Sequence, residues 1–213
     1  MRLPLPQFAA QSRHPHHFAE VIETATTEFL AQCLEPEDLN YAAMPPFGSW
    51  VTAVDEESGN VVYAVVYYAT ASPIDSVHRA RALGLSLAEL RDQQPQIFAM
   101  LKTEFRAAIV GFRSASDGAL YQHLPPRPPQ VHQAVYRCQP EEILQFTDQL
   151  DFLRVLLQLP GAPVDALTAA VVRLVYQLRH LDRAWLVQAG RFLNLVLKDD
   201  YDRLQVILSQ IHP

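Results

Sequence analysis

The stretch that decides the fold is Thr103-Glu104-Phe105-Arg106-Ala107-Ala108-Ile109-Val110-Gly111-Phe112. It alternates in polarity and contains β-branched and aromatic residues, which is typical of a β-strand. A second stretch of similar character lies near the N-terminus, Glu20-Val21-Ile22-Glu23-Thr24-Ala25-Thr26-Thr27-Glu28-Phe29. We predict that both stretches are strands of one β structure.

Between these stretches the sequence predicts a hairpin and then a helical excursion. Val51–Val54 and Val61–Tyr68 have strand-like composition, and the polar turn between them ends near Gly59 and Asn60. The segment 72–101 interrupts the β pattern. Within it, Ser86 and Glu89 have the spacing of a capping box, which predicts the start of a short helix.

A proline-rich run is followed by a change of periodicity. Residues 125–129 read Pro-Pro-Arg-Pro-Pro, which favours a stiff extended conformation, and we predict a tether there. From Pro140 onward, apolar residues recur at helical spacing. We predict about four helices, one near 141–158 and three that begin at the acidic residues Asp165, Asp182 and Asp199 or Asp200.

Composition sets bounds on function and location. The formal net charge is −6 and neither half of the chain is basic, which weighs against binding driven by nucleic-acid phosphates. The start of the chain has no long apolar core, and no apolar run approaches the roughly 20 residues that span a bilayer. We therefore expect a cytoplasmic protein with no signal peptide.

The order of these segments resembles the HAS barrel, the small β-barrel that precedes the motor domain of HerA-type helicases and rotary ATP synthase subunits. The resemblance covers about residues 14–138. It rests on Thr103-Glu104-Phe105, on the strand end at Gly111-Phe112 and on the proline-rich exit that leads to Val135-Tyr136. It implies an α+β protein in which the two opening stretches are the first and last barrel strands.

The predicted domain organisation follows from this resemblance. Residues 1–138 form a small closed β-barrel with a helical excursion at 72–101, and residues 139–213 form a C-terminal helical bundle. A HerA-type motor would need a phosphate-binding loop of the form G-x-x-x-x-G-K-[S/T]. None of the seven glycines precedes a lysine, so we expect no ATPase activity and no cofactor.

Histidines and cysteines form the first group that could carry chemistry. The run His14-Pro15-His16-His17 could hold a metal, but it has no partner at recognisable spacing, and we favour a solvated segment. Cys33 and Cys138 could be redox-active, yet they form no Cys-x-x-Cys motif. We favour reduced, buried and inert thiols for both.

Two acidic loops form the second group. They consist of Glu35, Glu37 and Asp38, and of Asp55, Glu56 and Glu57. Paired carboxylates could perform acid–base work or bind a divalent cation. We favour exposed turns, because neither loop lies in an apolar setting.

Five residues are candidates for binding a partner, namely Arg79, Arg81, Arg91, Trp185 and Phe192. The arginines belong to a basic cluster in the helical excursion, which could contact an acidic partner or a nucleic-acid backbone, or simply be solvated. The aromatic residues lie seven positions apart on a predicted helix. They indicate either core packing or a docking groove, and the sequence does not separate these alternatives.

We expect a non-catalytic adaptor or assembly protein that docks on a multisubunit machine, for example a HerA- or NurA-type DNA-processing complex. The partner would then be a protein such as a ring ATPase or a nuclease. The alternative is a DNA-binding accessory protein in DNA repair that uses the 78–91 cluster. An enzyme is the least favoured class, because no nucleophile–base pair or metal set can be named. The oligomeric state stays open.

Overall fold

The computed structural model describes residues 16–34, 44–74, 82–94 and 96–211. The strands in these ranges are β1 (His17–Thr24), β2 (Glu28–Cys33), β3 (Trp50–Val54), β4 (Val61–Pro73), β5 (Leu101–Arg113), β6 (Leu120–Tyr121) and β7 (Ala134–Arg137). The helices are α1 (Leu87–Gln93), α2 (Gln96–Ala99), α3 (Pro140–Phe146), α4 (Phe152–Leu157), α5 (Val164–Leu178), α6 (Arg183–Val196) and α7 (Tyr201–Ile211).

Six of these strands close into a barrel. Their order is β2-β1-β7-β3-β4-β5, and β5 pairs back onto β2. Every pairing is antiparallel, and β6 adds only to the far end of β5, outside the ring. Closure leaves the ring without a free edge. The structure therefore confirms the predicted α+β class, with a closed N-terminal β-barrel and helices after it.

The assignment of the first and last strands was wrong. The stretch 20–29 is a hairpin rather than one strand, because β1 and β2 pair from Thr24 with Phe29 around a turn at 25–27. Threonine favours strands, so its presence in the turn hid the reversal. The last barrel strand is β7, which pairs with both β1 and β3, whereas β5 is the fifth strand.

The helical excursion is narrower than the predicted 72–101. Strand β4 continues to Pro73, which pairs with Leu101 at the start of β5. The capping box at Ser86 is confirmed: the Glu89 amide donates to the Ser86 hydroxyl at 3.3 Å, and the Ser86 amide donates to the Glu89 carboxylate at 2.8 Å. Both are exposed hydrogen bonds at the start of α1.

The barrel interior is filled by its own side chains. A six-stranded barrel is narrow, so alanine and valine occupy most inward positions. The buried members of this interior are Ala19, Val21, Phe29, Ala31, Cys33, Val51, Ala53, Val62, Ala64, Val66, Phe105, Ala107, Ile109 and Val135. The barrel is therefore a packed support and not a container for a ligand.

A second core joins the outside of the barrel to the helices. Trp50, Tyr63 and Val65 belong to the same buried cluster as the apolar faces of α3 to α7. Tyr63 stacks on Phe146 of α3 with 4.7 Å between ring centroids. The predicted boundary at 138/139 falls where strands give way to helices, and one continuous core crosses it. The proline-rich run 125–129 does not join the two parts, because it lies between β6 and β7.

Two details of the predicted helices change. The region near 141–158 forms two short helices, α3 and α4, in place of one. Asp182 and Asp200 cap α6 and α7, since their carboxylates accept from the amides of Ala184 at 2.8 Å and Arg203 at 3.2 Å. Asp165 is no cap: it lies inside the first turn of α5, and its carboxylate pairs with Arg203 at 2.6 Å.

Close approaches fix the helices against the barrel. A Cβ on Gly111 in β5 would lie 2.2 Å from the Tyr121 carbonyl oxygen, so only glycine fits. The side-chain amide of Gln122 donates to the carbonyls of Phe146 and Gln149 at 2.5 and 3.0 Å, and its oxygen accepts from the Phe152 amide at 2.8 Å. One side chain thus ties the exit of β6 to the α3–α4 connection.

No helix in the described ranges combines the length and the apolarity needed to cross a membrane.

Candidate functional site

The basic cluster is described only at Arg91. Arg79 and Arg81 lie outside the described residues. Arg91 is exposed in the last turn of α1, with its guanidinium carbon 5.9 Å from the centroid of the Phe98 ring. Direct DNA binding, which needs the whole cluster, stays a prediction.

Trp185 belongs to the core. It is 4% exposed, and its indole nitrogen donates to the Thr147 carbonyl at 3.0 Å. The guanidinium of Arg179 lies 5.3 Å from its ring centroid and donates to the Leu144 carbonyl at 2.7 Å. Trp185 thus anchors α6 to the end of α3. Of the two alternatives for this residue, the structure supports core packing.

Phe192 lies at the border of the same face. It is half-buried, and the guanidinium carbon of Arg154 in α4 lies 5.0 Å from its ring centroid. The arginine covers part of the ring and leaves the rest accessible. The aromatic pair therefore forms no open groove on the surface.

The opposite face of α6 is the exposed one, and sequence reasoning did not single it out. It carries Arg183, Val187, Arg191 and Leu195, and the exposed Lys198 follows one turn beyond. Val187 is 51% exposed and Leu195 is 62% exposed. The sequence does contain a signal for it, because residues 183–198 hold three cations and no acid.

The outside of the barrel carries a fixed polar network at the border of the wall that the helices cover, because the Tyr67 ring packs against the helix-side core. Glu28 at the start of β2 accepts from the Tyr67 hydroxyl and pairs with Arg106 of β5 at 2.8 Å. Arg106 also lies 3.9 Å from Glu23. Burial and the hydrogen bond to Glu28 raise the pKa of Tyr67 to about 12, so the phenol remains a proton donor at neutral pH. These contacts hold the side chains of Glu28 and Arg106 in place on the wall formed by β1, β2 and the first half of β5.

A cleft of about 510 Å³ opens between the barrel and the helices. Its lining is mainly apolar and consists of Thr27, Ala108, Ile109, His123, Leu124, Val155, Gln158, Leu159 and Pro160. The His123 Nδ1 atom lies 3.0 Å from the Leu124 carbonyl oxygen. No carboxylate or thiol is among the described residues that line the cleft beside that imidazole.

The histidine run gives no metal centre in the described part. His14 lies outside the described residues, and the His17 ring packs against Tyr136 with centroids 5.5 Å apart. The part of the chain that the structure describes contains no group of three or more His, Cys, Asp or Glu residues able to hold a metal ion.

Both cysteines are free thiols. Burial raises the pKa of Cys33 to about 11, and Arg137 offsets this only in part. Burial and the neighbouring Glu142 raise the pKa of Cys138 as well. A raised pKa keeps the thiol protonated at neutral pH, and a protonated thiol is a poor nucleophile. The geometry supports the expectation of inert cysteines.

The second acidic loop is not wholly exposed, contrary to expectation. Asp55 is 1% exposed, accepts from the Ser58 hydroxyl at 2.5 Å and lies 3.6 Å from Arg127. Arg127 also pairs with Glu57. This network fastens the proline-rich run to the β3–β4 turn, which is a structural role. Glu35, Glu37 and Asp38, the other loop, lie outside the described residues.

Comparison with known proteins identifies the barrel. Residues 18–114 match the family model described as the HAS barrel domain, which spans β1 to β5. No curated protein matches the chain.

Proposed function

Since residues 18–114 form a HAS barrel domain, we propose that this protein is a non-catalytic adaptor or assembly factor that docks on a multisubunit machine. The observation that carries the proposal is the barrel itself. It is closed, and its interior is filled with side chains, so it offers a rigid outer wall and no ligand cavity. A wall of this kind suits binding to another protein.

The proposed partner is a ring ATPase of the HerA type, or the NurA-type nuclease that works with it, in the cytoplasm. HAS barrels precede the motor domain in HerA-type helicases, whereas these 213 residues contain no phosphate-binding loop. A barrel without that loop fits a protein that contacts the machine and does not drive it.

The uncovered barrel wall is the proposed contact with the machine. The helices cover the outer faces of β3, β4 and the second half of β5 through the shared core, and no buried member of that core comes from β1, β2 or the first half of β5. Glu28 and Arg106 are held there by mutual contacts before any partner arrives. Preorganised side chains lower the entropic cost of association.

In the test, the tagged full chain is first purified from its own organism, and the proteins that co-elute with it are identified by mass spectrometry. Pure components are then recombined and the complex is sized by light scattering. We expect a ring ATPase or nuclease subunit at fixed stoichiometry. Absence of such a complex, or sustained ATP hydrolysis by the pure chain, would overturn the proposal.

A matched pair of variants sharpens this test. Tyr68→Glu changes an exposed residue of β4 beside the uncovered wall, and Val206→Glu changes an exposed residue on α7, outside both that wall and the C-terminal end of α6. We expect the first to weaken the reconstituted complex, because it places a charge in the contact, and the second to leave it unchanged. If both variants weakened the complex equally, the barrel wall would not be the contact with the machine.

A further inference from the structure

The exposed face of α6 has charges that the protein itself does not use. We call Arg183, Val187, Arg191, Leu195 and Lys198 the α6 face. None of its three cations makes an ion pair, hydrogen bond or ring contact with any residue in the described ranges. Elsewhere in those ranges, Arg106, Arg127, Arg179 and Arg203 all pair with carboxylates.

The sign of this face is opposite to that of the molecule. The chain has a net charge of −6, yet residues 183–198 contain only basic charges. The nearest acids in sequence, Asp182 and Asp199, lie at the two ends of the helix. One Asp182 oxygen is already engaged by the Ala184 amide. A positive face on an acidic protein attracts an acidic partner and orients its approach.

Apolar side chains alternate with the cations. Positions 183, 187, 191 and 195 are four residues apart, so they form one stripe along the helix. Val187 and Leu195 are more than half exposed within that stripe, at 51% and 62%. The opposite face of α6 is used by the core through Trp185, Ala189 and Leu193. Only a narrow apolar strip is left to contact a partner.

Gly190 supports a close approach on the same side. Glycine in the middle of a helix is less stable than alanine, so we expect a glycine there to have a packing or binding role. A Cβ built on Gly190 meets no atom of the described residues within 4 Å, so packing against them does not explain the glycine. By helical spacing, Gly190 flanks the stripe next to Arg183 and Val187. The missing side chain lets a partner backbone come close there.

We propose that the α6 face binds an acidic amphipathic helix of a protein partner. Carboxylates of that helix pair with Arg183, Arg191 and Lys198, while its aliphatic side chains cover Val187 and Leu195. Two aliphatic residues are too few to insert into a bilayer, and binding to nucleic-acid phosphates would not need them. The inference rests on the proposed function, because it assigns this helix to a subunit of the same machine.

The test uses an unbiased probe. A displayed library of helical peptides of about 16 residues, long enough to follow α6, is selected on the immobilised full chain, and winners are titrated by fluorescence anisotropy. We expect net-negative peptides with aliphatic residues three or four positions apart. Enrichment of neutral or basic peptides, or of none, would overturn the proposal.

Charge reversal provides the matched control. The Arg183→Glu/Arg191→Glu/Lys198→Glu variant should bind a selected peptide about tenfold more weakly or worse, because three attractive pairs become repulsive. The Gln93→Glu/Gln96→Glu/Gln145→Glu/Gln149→Glu/Gln177→Glu/Gln210→Glu variant changes the net charge equally, at exposed glutamines outside the α6 face. It should bind almost as the wild type does. An equal loss of peptide affinity in both variants would show that the effect comes from the overall charge and not from the α6 face.

Two further variants test the apolar strip and the gap. Val187→Ser/Leu195→Ser removes the aliphatic contacts, and Gly190→Gln adds a side chain whose Cβ meets no atom of the described residues within 4 Å. Each should weaken the peptide by about fivefold or more while the fold stays intact, as circular dichroism would report. Full affinity in both would contradict the docking geometry.

A membrane surface and a nucleic acid are tested as alternative ligands of the α6 face. The wild-type protein is titrated with phosphatidylserine vesicles and with duplex DNA. The proposal would be overturned if either ligand bound through the α6 face while acidic peptides did not bind. The outcome is separable from that of the adaptor proposal. If the triple α6 variant still assembles with the machine as wild type does, this inference fails and the adaptor proposal stands.

Discussion

At the scale of single residues, two glycines have opposite surroundings. Gly111 is pressed against the Tyr121 carbonyl, whereas Gly190 faces open space. We expect Gly111→Ala to lower the free energy of unfolding by about 1–3 kcal/mol through overpacking. Gly190→Ala should raise it by about 0.5–1 kcal/mol, because alanine loses less entropy in a helix. Urea unfolding of both variants checks this, and changes of the same sign would contradict it.

The buried thiol of Cys33 makes stability depend on alkaline pH. Its pKa rises from 9.0 to about 11 on folding, mainly by burial. The unfolded chain therefore ionises first, so this contribution is complete below pH 9.0 and is lost as pH rises toward 11. We expect a loss of about 1.4 kcal/mol from Cys33 by pH 10.

Chemical denaturation between pH 8 and 10 measures this loss. Cys33→Ala should make the decline shallower without abolishing it, because burial also raises the pKa of Cys138, which ionises in the unfolded chain over the same pH window. Tyr63 and Tyr67, whose pKa values are each raised to about 12, act mainly above this window. An unchanged decline in the variant would refute the assignment to Cys33.

At the scale of elements, β5 shows how one strand serves two environments. Its first half alternates in polarity, with Glu104 and Arg106 on the uncovered wall and Phe105 in the barrel interior. From Ala107 the strand is apolar on both faces, because Val110 faces the helices. A continuous apolar run is typical of burial on both faces, so the alternation predicted for the whole stretch 103–112 holds only as far as Arg106. The turn inside 20–29 could not be predicted from the sequence, because its threonines are typical of strands.

The Gln122 junction gives a prediction at the same scale. Gln122→Ala removes three hydrogen bonds between the β6 exit and the α3–α4 connection and leaves the Phe146 carbonyl without that donor. We expect a loss of about 2 kcal/mol in unfolding free energy, because buried polar groups lose their partners. Gln122→Glu keeps the acceptor for the Phe152 amide but places a carboxylate oxygen against the carbonyls of Phe146 and Gln149, so it should lose at least as much. A smaller loss in Gln122→Glu than in Gln122→Ala would contradict the importance of the two donated hydrogen bonds.

At the scale of the whole molecule, the barrel and the helices depend on each other. The core of the helices includes three side chains on the outside of the barrel, those of Trp50, Tyr63 and Val65. We expect the full chain to unfold in one cooperative transition, with tryptophan fluorescence and circular dichroism coinciding. A fragment of residues 1–138 should expose that apolar wall and aggregate or bind a hydrophobic dye. Two separate transitions, or a well-behaved monomeric fragment, would contradict a single core.

Local patterns in the chain were enough for the strands as a class, the helical C-terminal region and the caps at Ser86 and Asp182, because these depend on residues close in sequence. The closed barrel was predicted from the order of the segments, which resembles the HAS barrel. Tertiary structure alone decided that β7 closes the barrel between β1 and β3, and that Trp185 faces inward while Arg191 faces out. Strand closure and the choice of covered face depend on the apolar area that distant segments bury together. No short stretch of the sequence contains that sum.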